Sequence, residues 1–212
     1  MKIWKNYIFN LLVLSLVSCL LVWLTDKFIL TNEFFIRNGQ SLSGKPEQEA
    51  QTYQLIQKYI YLSAVAYLML RVFTVSLILY TALYLSEVAV PFKKILSGVT
   101  LAEFIFLVPA TIKITHFYLI GSGFTLSEWQ AYYAFSVLSL LENVPADWQY
   151  AAQTMNLFEC IYWFLLATVV HKTANINFDT SLRIVVRSYL PALLIWICLL
   201  TFLTIIYFPA NS

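Results

Sequence analysis

Five long apolar runs alternate with shorter polar stretches along the chain. They cover about residues 7–24, 60–85, 96–119, 150–171 and 187–208. Each run is close to the ~20 residues that a helix needs to cross a bilayer. The pattern predicts an all-α membrane protein in which residues 1–212 form one domain, a polytopic bundle of about five transmembrane helices.

The first apolar run admits three interpretations, because Lys2 and Lys5 precede it. It resembles a secretory signal peptide, a lipoprotein signal or an uncleaved transmembrane helix. The tetrad that ends at Cys19 is similar to a lipobox, but residues 20–24 stay apolar where a processed lipoprotein would turn polar. No small-residue cleavage site follows the apolar run. We therefore expect an uncleaved first helix.

A polar segment follows over residues 25–57, and its middle has the composition of a loop. After Pro46 the segment is rich in good helix formers. A helix running from residue 46 to residue 85 would be ~60 Å long, which exceeds the thickness of a membrane. Its first turns should therefore stand outside the bilayer, or the helix should break near Lys58.

A helix start signal opens the stretch after the third apolar run. Thr125 and Glu128 have the spacing of a capping box, and polar residues then recur at helical spacing as far as Asn143. Because the stretch is aromatic, amphipathic and short, we expect an interfacial helix over residues 126–142. The alternative is a further span, which would reverse the orientation of everything after it.

Composition places much of this chain in lipid. The residues are 60% hydrophobic and only 11% charged, whereas soluble domains are about 25% charged. A net charge of +2 with scattered basic residues does not suggest nucleic-acid binding. The three cysteines lack metal-type spacing, so we expect no metal site and no cofactor.

Basic residues favour one orientation in the membrane. With the N-terminus inside, seven lysines and arginines lie in inner segments and four lie in the first outer loop, and residues 121–149 contain none. The positive-inside rule then places the N-terminus inside and the C-terminus outside. We expect a multi-pass protein of the bacterial cytoplasmic (inner) membrane.

Five ionisable residues lie within the apolar runs: Arg71, Glu103, Lys113, His116 and Glu159. Each costs roughly 3 kcal/mol or more inside a span and normally needs a partner. Counted along the helices, Lys113 and Glu159 have similar depths, and Arg71 can reach Glu103 or Glu159. We expect a buried charge network. Three roles stay open: ion pairs that fix helix register, a proton or ion path, and snorkelling of Lys113 and His116 to the interface.

Three features occur together in the last two-thirds of the chain. A basic turn at residues 92–94 leads into a span that contains Pro109, the stretch from Met155 to Glu159 reads MNLFE, and a polar hinge precedes a last span with an early basic face. This layout resembles the Yip1 family of small five-span membrane proteins, whose "lnlf" signature is similar to the MNLFE stretch. Two departures are Met155, where the signature has leucine, and only five glycines in the chain.

No catalytic combination accompanies the charged residues. The chain lacks the H-E-x-x-H metalloprotease motif and phosphate-cradling glycine loops, and Ser122 between two glycines is better explained as a turn. We expect no catalytic residue and no enzyme activity. The Yip1 resemblance implies an accessory or scaffold protein that acts through a membrane-protein partner or by self-association. The alternative is a small transporter or an ion/proton-coupled permease that uses the buried charges.

Overall fold

The computed structural model describes residues 7–31, 33–34, 46–141 and 144–207. Within these ranges, five helices are long and apolar enough to cross a membrane: Tyr7–Phe28, Tyr59–Leu85, Phe92–Ile120, Leu157–Ala174 and Phe178–Ile206. We call them the first to fifth spans. In the same ranges, pairing between extended segments amounts to one isolated β-bridge between Ser136 and Asn156. The predicted all-α polytopic bundle is therefore confirmed.

Eight α-helices whose bounds lie within the described residues build the spans and most of their connections. They are α1 (Tyr7–Phe28), α2 (Pro46–Leu85), α3 (Phe92–Ala102), α4 (Leu107–Ile120), α5 (Leu126–Ala131), α6 (Ala146–Thr154), α7 (Leu157–Ala174) and α8 (Phe178–Tyr207). Short 3-10 turns lie at Glu103–Phe106, Gly121–Gly123 and Val137–Ser139.

Helix α2 is a single unbroken helix of 40 residues, about 60 Å long. It does not break near Lys58, and the part of it that is apolar enough to cross a membrane begins at Tyr59. The polar loop expected over residues 25–57 is shorter than predicted, because α1 continues to Phe28 and α2 begins at Pro46. Residues 35–45 of that loop lie outside the described residues.

The third span changes helix type halfway along. Helix α3 ends at Ala102, Glu103–Phe106 form a 3-10 turn, and α4 continues the span from Leu107. Pro109 has no N–H for the carbonyl of Ile105, and its ring clashes with a carbonyl at that spacing in an α-helix. The tighter 3-10 turn accommodates this local conflict and sets the position of Glu103 in mid-span.

The stretch between the third and fourth spans departs from the predicted helix at 126–142. Thr125 and Glu128 do form the capping box, but α5 ends at Ala131 and Phe135 has a positive φ of 54°. The expected single helix is therefore wrong in its length. The fourth span was expected over residues 150–171; it is a separate helix that begins at Leu157, after α6 has ended at Thr154.

Spans two to five form a closed ring, and the first span packs outside it. The second span contacts the third and fifth, and the fourth contacts the third and fifth. Helix α1 contacts α2, α3 and α4. The ring is held by a core of fully buried side chains that includes Leu79, Ile95, Val99, Leu166 and Val185.

Two ends of the bundle can be told apart. We call the end with the short connections at residues 86–91 and 175–177 the turn side. The opposite end carries residues 121–156, which we call the connecting segment. Glu87 and Asn175 turn the chain at the turn side, each with a φ between 54° and 59°.

Candidate functional site

An ion cluster joins three spans of the ring at its centre. Arg71 of the second span places Nε 3.4 Å from Glu103 Oε1 on the third span. Its Nη2 lies 3.4 Å from Glu159 Oε2 on the fourth span. We call these three residues the ion cluster. The guanidinium also lies over the ring of Phe106, with Cζ 3.8 Å from the ring centroid.

Two tyrosines complete the cluster and connect it to the fifth span. Tyr162 donates a hydrogen bond to Glu103 Oε1, and Tyr189 donates to Glu159 Oε1 at 2.6 Å. Both carboxylates are almost fully buried, with side-chain exposures of 2% for Glu103 and 6% for Glu159. Burial of a charge is tolerated only with such partners. All four spans of the ring therefore contribute a side chain.

Neither tyrosine was among the residues predicted from the sequence. Tyr162 follows Glu159 by three positions and so shares its helix face, which is a signal that could have found it. Tyr189 carries no comparable signal, because its span contains no other member of the cluster.

The cluster lies in the middle of the bundle. Counted along each helix from the turn side, Arg71, Glu103, Glu159 and Tyr189 are all about 16–23 Å from the helix end. This is roughly half the depth of a bilayer with its headgroups.

A cavity of about 590 Å³ borders the ion cluster. Most of its wall lies between the cluster and the connecting segment, and it comes from that segment and from the second to fifth spans, of which the fourth contributes Glu159. Arg71 and Glu159 lie on this wall, and so does Lys113. The aromatic part of the wall consists of Tyr67, Phe106, Tyr132, Tyr133, Tyr150, Tyr189 and Trp196. The cavity is thus mainly aromatic and apolar, with Arg71 and Glu159 at the ion cluster and Lys113 toward the connecting segment.

Main-chain hydrogen bonds hold the connecting segment over the cavity. Val137 N–H donates to the Met155 carbonyl at 2.9 Å, and Leu157 N–H donates to the Phe135 carbonyl at 3.0 Å. Asn156 caps α7, because its Oδ1 accepts from the Glu159 N–H at 2.8 Å. The same residue therefore ends the connecting segment and orients the first turn that carries Glu159.

Lys113 and His116 do not join the ion cluster. The ammonium of Lys113 lies 4.6 Å from the Trp129 ring centroid and 4.8 Å from that of Tyr133. His116 stacks on Tyr132 with centroids 4.4 Å apart. The network predicted from the sequence is therefore divided: Arg71, Glu103 and Glu159 come together, while Lys113 and His116 hold the connecting segment by aromatic contacts. The depth-matched pair expected between Lys113 and Glu159 is wrong, because Arg71 and Tyr189 are the partners of Glu159.

Two tyrosines of the connecting segment lie beside the cavity with protonated hydroxyl groups. Burial raises the pKa of Tyr133 and that of Tyr150 above the ordinary value. The Tyr150 hydroxyl accepts a hydrogen bond from the Trp196 indole at 2.9 Å, which links the segment to the fifth span.

Comparisons with known proteins give no relative: no family model, no curated protein and no solved structure matches the chain. Among the described residues, no group of three or more His, Cys, Asp or Glu side chains has the arrangement of a metal site. The function is therefore inferred from the geometry of the cluster and the cavity.

Proposed function

We propose that this protein is a small membrane transporter that binds its substrate in the bundle cavity, next to the ion cluster. A cavity of about 590 Å³ has the size of ordinary small-molecule sites. Ionisable residues within spans commonly mark the path of a substrate or an ion. The position of the charged wall at mid-depth is the observation that supports this function most directly.

The helix breaks beside the cluster support the same proposal. Transporters commonly bind substrates and ions near the bilayer midplane, where spanning helices are discontinuous. Here the third span changes to a 3-10 turn at Glu103. Glu159 lies in the first turn of α7, which begins shortly after α6 ends. Both carboxylates of the cluster therefore lie at breaks of regular α-helix.

The walls indicate a class of substrate. Aromatic side chains favour an apolar body, Arg71 and Glu159 offer charged contacts near one another, and Lys113 offers a further one toward the connecting segment. The cluster holds two carboxylates and one guanidinium, so a cationic group or a coupled cation would balance its charge. We infer a small amphipathic substrate whose polar group lies at the cluster.

Location and orientation belong to the same proposal. We propose the bacterial cytoplasmic (inner) membrane, with the turn side facing the cytoplasm. Lys93, Lys94, Lys172, Arg183 and Arg187 all lie toward the turn side, which is the distribution that the positive-inside rule favours for a cytoplasmic face.

Water access to the cavity tests the transport proposal. In a chain whose three cysteines are changed to alanine, single cysteines replace Thr74 and Ala192, which lie on the cavity wall. Matched controls replace Phe73 and Ile195, which are exposed on the same spans but lie outside the wall. We expect a charged thiol reagent to modify the cavity positions roughly tenfold faster or more, since a thiolate forms only where water reaches the sulfur.

Equal rates at the cavity and control positions would contradict the proposal. The accessory or scaffold function implied by the Yip1 resemblance stays a prediction, and co-purification of a partner in mild detergent tests it independently.

A further inference from the structure

A second cavity lies on the other half of the bundle. It is a groove of about 740 Å³ between the second and fifth spans at the turn side. Leu77, Ile78 and Ile184 line its apolar part, and Arg183 and Arg187 lie on the same wall. We call this the basic groove. Ile78 lines both this groove and the cavity beside the ion cluster, and no charged residue lines both.

The two arginines have no partner within the part of the chain that the structure describes. They are four positions apart on α8, so they share one face of the helix, and both are exposed. The described residues provide neither a carboxylate within ion-pair distance of them nor a hydrogen bond to them. Two adjacent guanidinium groups without a counter-charge repel each other, and an anion placed between them removes that repulsion.

Both guanidinium groups can extend to the headgroup layer of a membrane. Helix α8 has 30 residues and is about 45 Å long, which exceeds the ~30 Å hydrocarbon core. Arg183 lies about 8 Å from the start of the helix and can reach the headgroups directly, and the long side chain of Arg187, one turn deeper, can extend to the same layer. Leu77 and Ile78 lie about 11–12 Å from the turn-side end of the second span, so the apolar wall faces the two arginines across the groove.

We propose that the basic groove binds an anionic glycerophospholipid of the adjoining leaflet. The phosphate lies between Arg183 and Arg187, and an acyl chain follows the apolar wall. Basic pockets between transmembrane helices are known to favour anionic lipid headgroups, and guanidinium groups bind phosphate through paired hydrogen bonds. A soluble phosphate would use the arginines but not the apolar wall, so the groove as a whole fits a lipid.

Native mass spectrometry of the full, delipidated chain in mild detergent tests this site. The probes are phosphatidylglycerol and phosphatidylcholine with identical acyl chains. We expect tighter binding of phosphatidylglycerol, with a loss of about fivefold for Arg183→Gln or Arg187→Gln alone and of about twenty-fivefold for both.

Lys93→Gln together with Lys94→Gln is the matched control. It removes the same charge from the same side of the bundle, at exposed residues outside the groove, and we expect it to leave phosphatidylglycerol binding nearly unchanged. Equal losses in the arginine and lysine variants would overturn the proposal, because the effect would then be one of general surface charge.

A steric variant tests the apolar part of the groove. Thr81 lies on the groove wall and is exposed, so Thr81→Trp should fill the groove without changing its charge and should also lower phosphatidylglycerol binding. Full retention of the lipid in this variant would overturn the proposal, as would equal binding of the two lipids. Competition by inorganic phosphate as strong as that by phosphatidylglycerol would show a phosphate site and not a lipid site.

Discussion

Arg71 is the counter-charge of two buried carboxylates in the ring. It contacts two carboxylates and an aromatic ring from two other spans, and each carboxylate also accepts a hydrogen bond from a tyrosine. Because both carboxylates are buried, the guanidinium is their main counter-charge. Removing it leaves two buried negative charges close together, which is far less favourable than removing a neutral contact.

We predict that Arg71→Leu lowers the stability of the protein by about 3–5 kcal/mol, the usual cost of breaking a buried ion pair. Changing Glu103 and Glu159 to glutamine in the same chain should restore much of the loss, because no buried charge then remains. Thermal unfolding in detergent measures both effects, and Lys94→Leu at an exposed position serves as the control. An Arg71→Leu chain as stable as its parent would show that the cluster does not hold the ring together.

At the scale of the elements, the start of α7 is fixed by Asn156, the residue before it. Asn156 caps the helix through the Glu159 N–H and also donates to the Gln153 carbonyl at 3.1 Å. It pairs with Ser136 in the isolated bridge. The start of the fourth span and the end of the connecting segment are thus fixed at one position.

Asn156→Ala should destabilise the protein by about 1 kcal/mol, the usual loss when a helix cap is removed. It should also speed amide exchange at Glu159, whose N–H loses its acceptor. Asn156→Ser is the control, since serine is also a good cap and should retain most of the protection. Hydrogen exchange by mass spectrometry measures this, and equal exchange in the alanine and serine variants would contradict the capping role.

At the scale of the whole molecule, the connecting segment determines on which side of the bundle the fourth span begins, and therefore the direction in which the fourth and fifth spans run. It returns over the cavity without forming a spanning helix among its described residues. The third span therefore ends, and the fourth begins, on the same side of the membrane.

Cysteine labelling on intact cells should report this arrangement. In the cysteine-free chain, Ser41→Cys and Ser122→Cys should react with an impermeant reagent from outside, and Thr173→Cys should react only after the membrane is permeabilised. Ser41 lies outside the described residues, and Ser122 and Thr173 lie on opposite sides of the bundle. Reaction of Ser122→Cys and Thr173→Cys from the same side would mean that the connecting segment crosses the membrane.

Hydropathy along the chain was sufficient to predict five spans, because burial in lipid depends on the summed polarity of about 20 residues and not on their neighbours in space. It did not fix their bounds: the fourth span begins seven residues later, and the fifth nine residues earlier, than predicted. The capping box at Thr125 and the presence of buried charges could also be read locally. These features follow from chemistry within one helix or one turn.

Tertiary structure decided which charged residues meet. Arg71 binds both Glu103 and Glu159, while Lys113 contacts Trp129 and Tyr133. Counted from the turn side, Lys113 lies about 32 Å and Glu159 about 23 Å along their spans, so the two residues are not at equal depth. Hydropathy could not show this, because it does not reveal that the fourth span begins at Leu157 and not near residue 150. The end of α5 at Ala131 has a similar cause: the Phe135 carbonyl accepts from Leu157, a residue distant in sequence, so the backbone there bonds across the bundle and not along a helix.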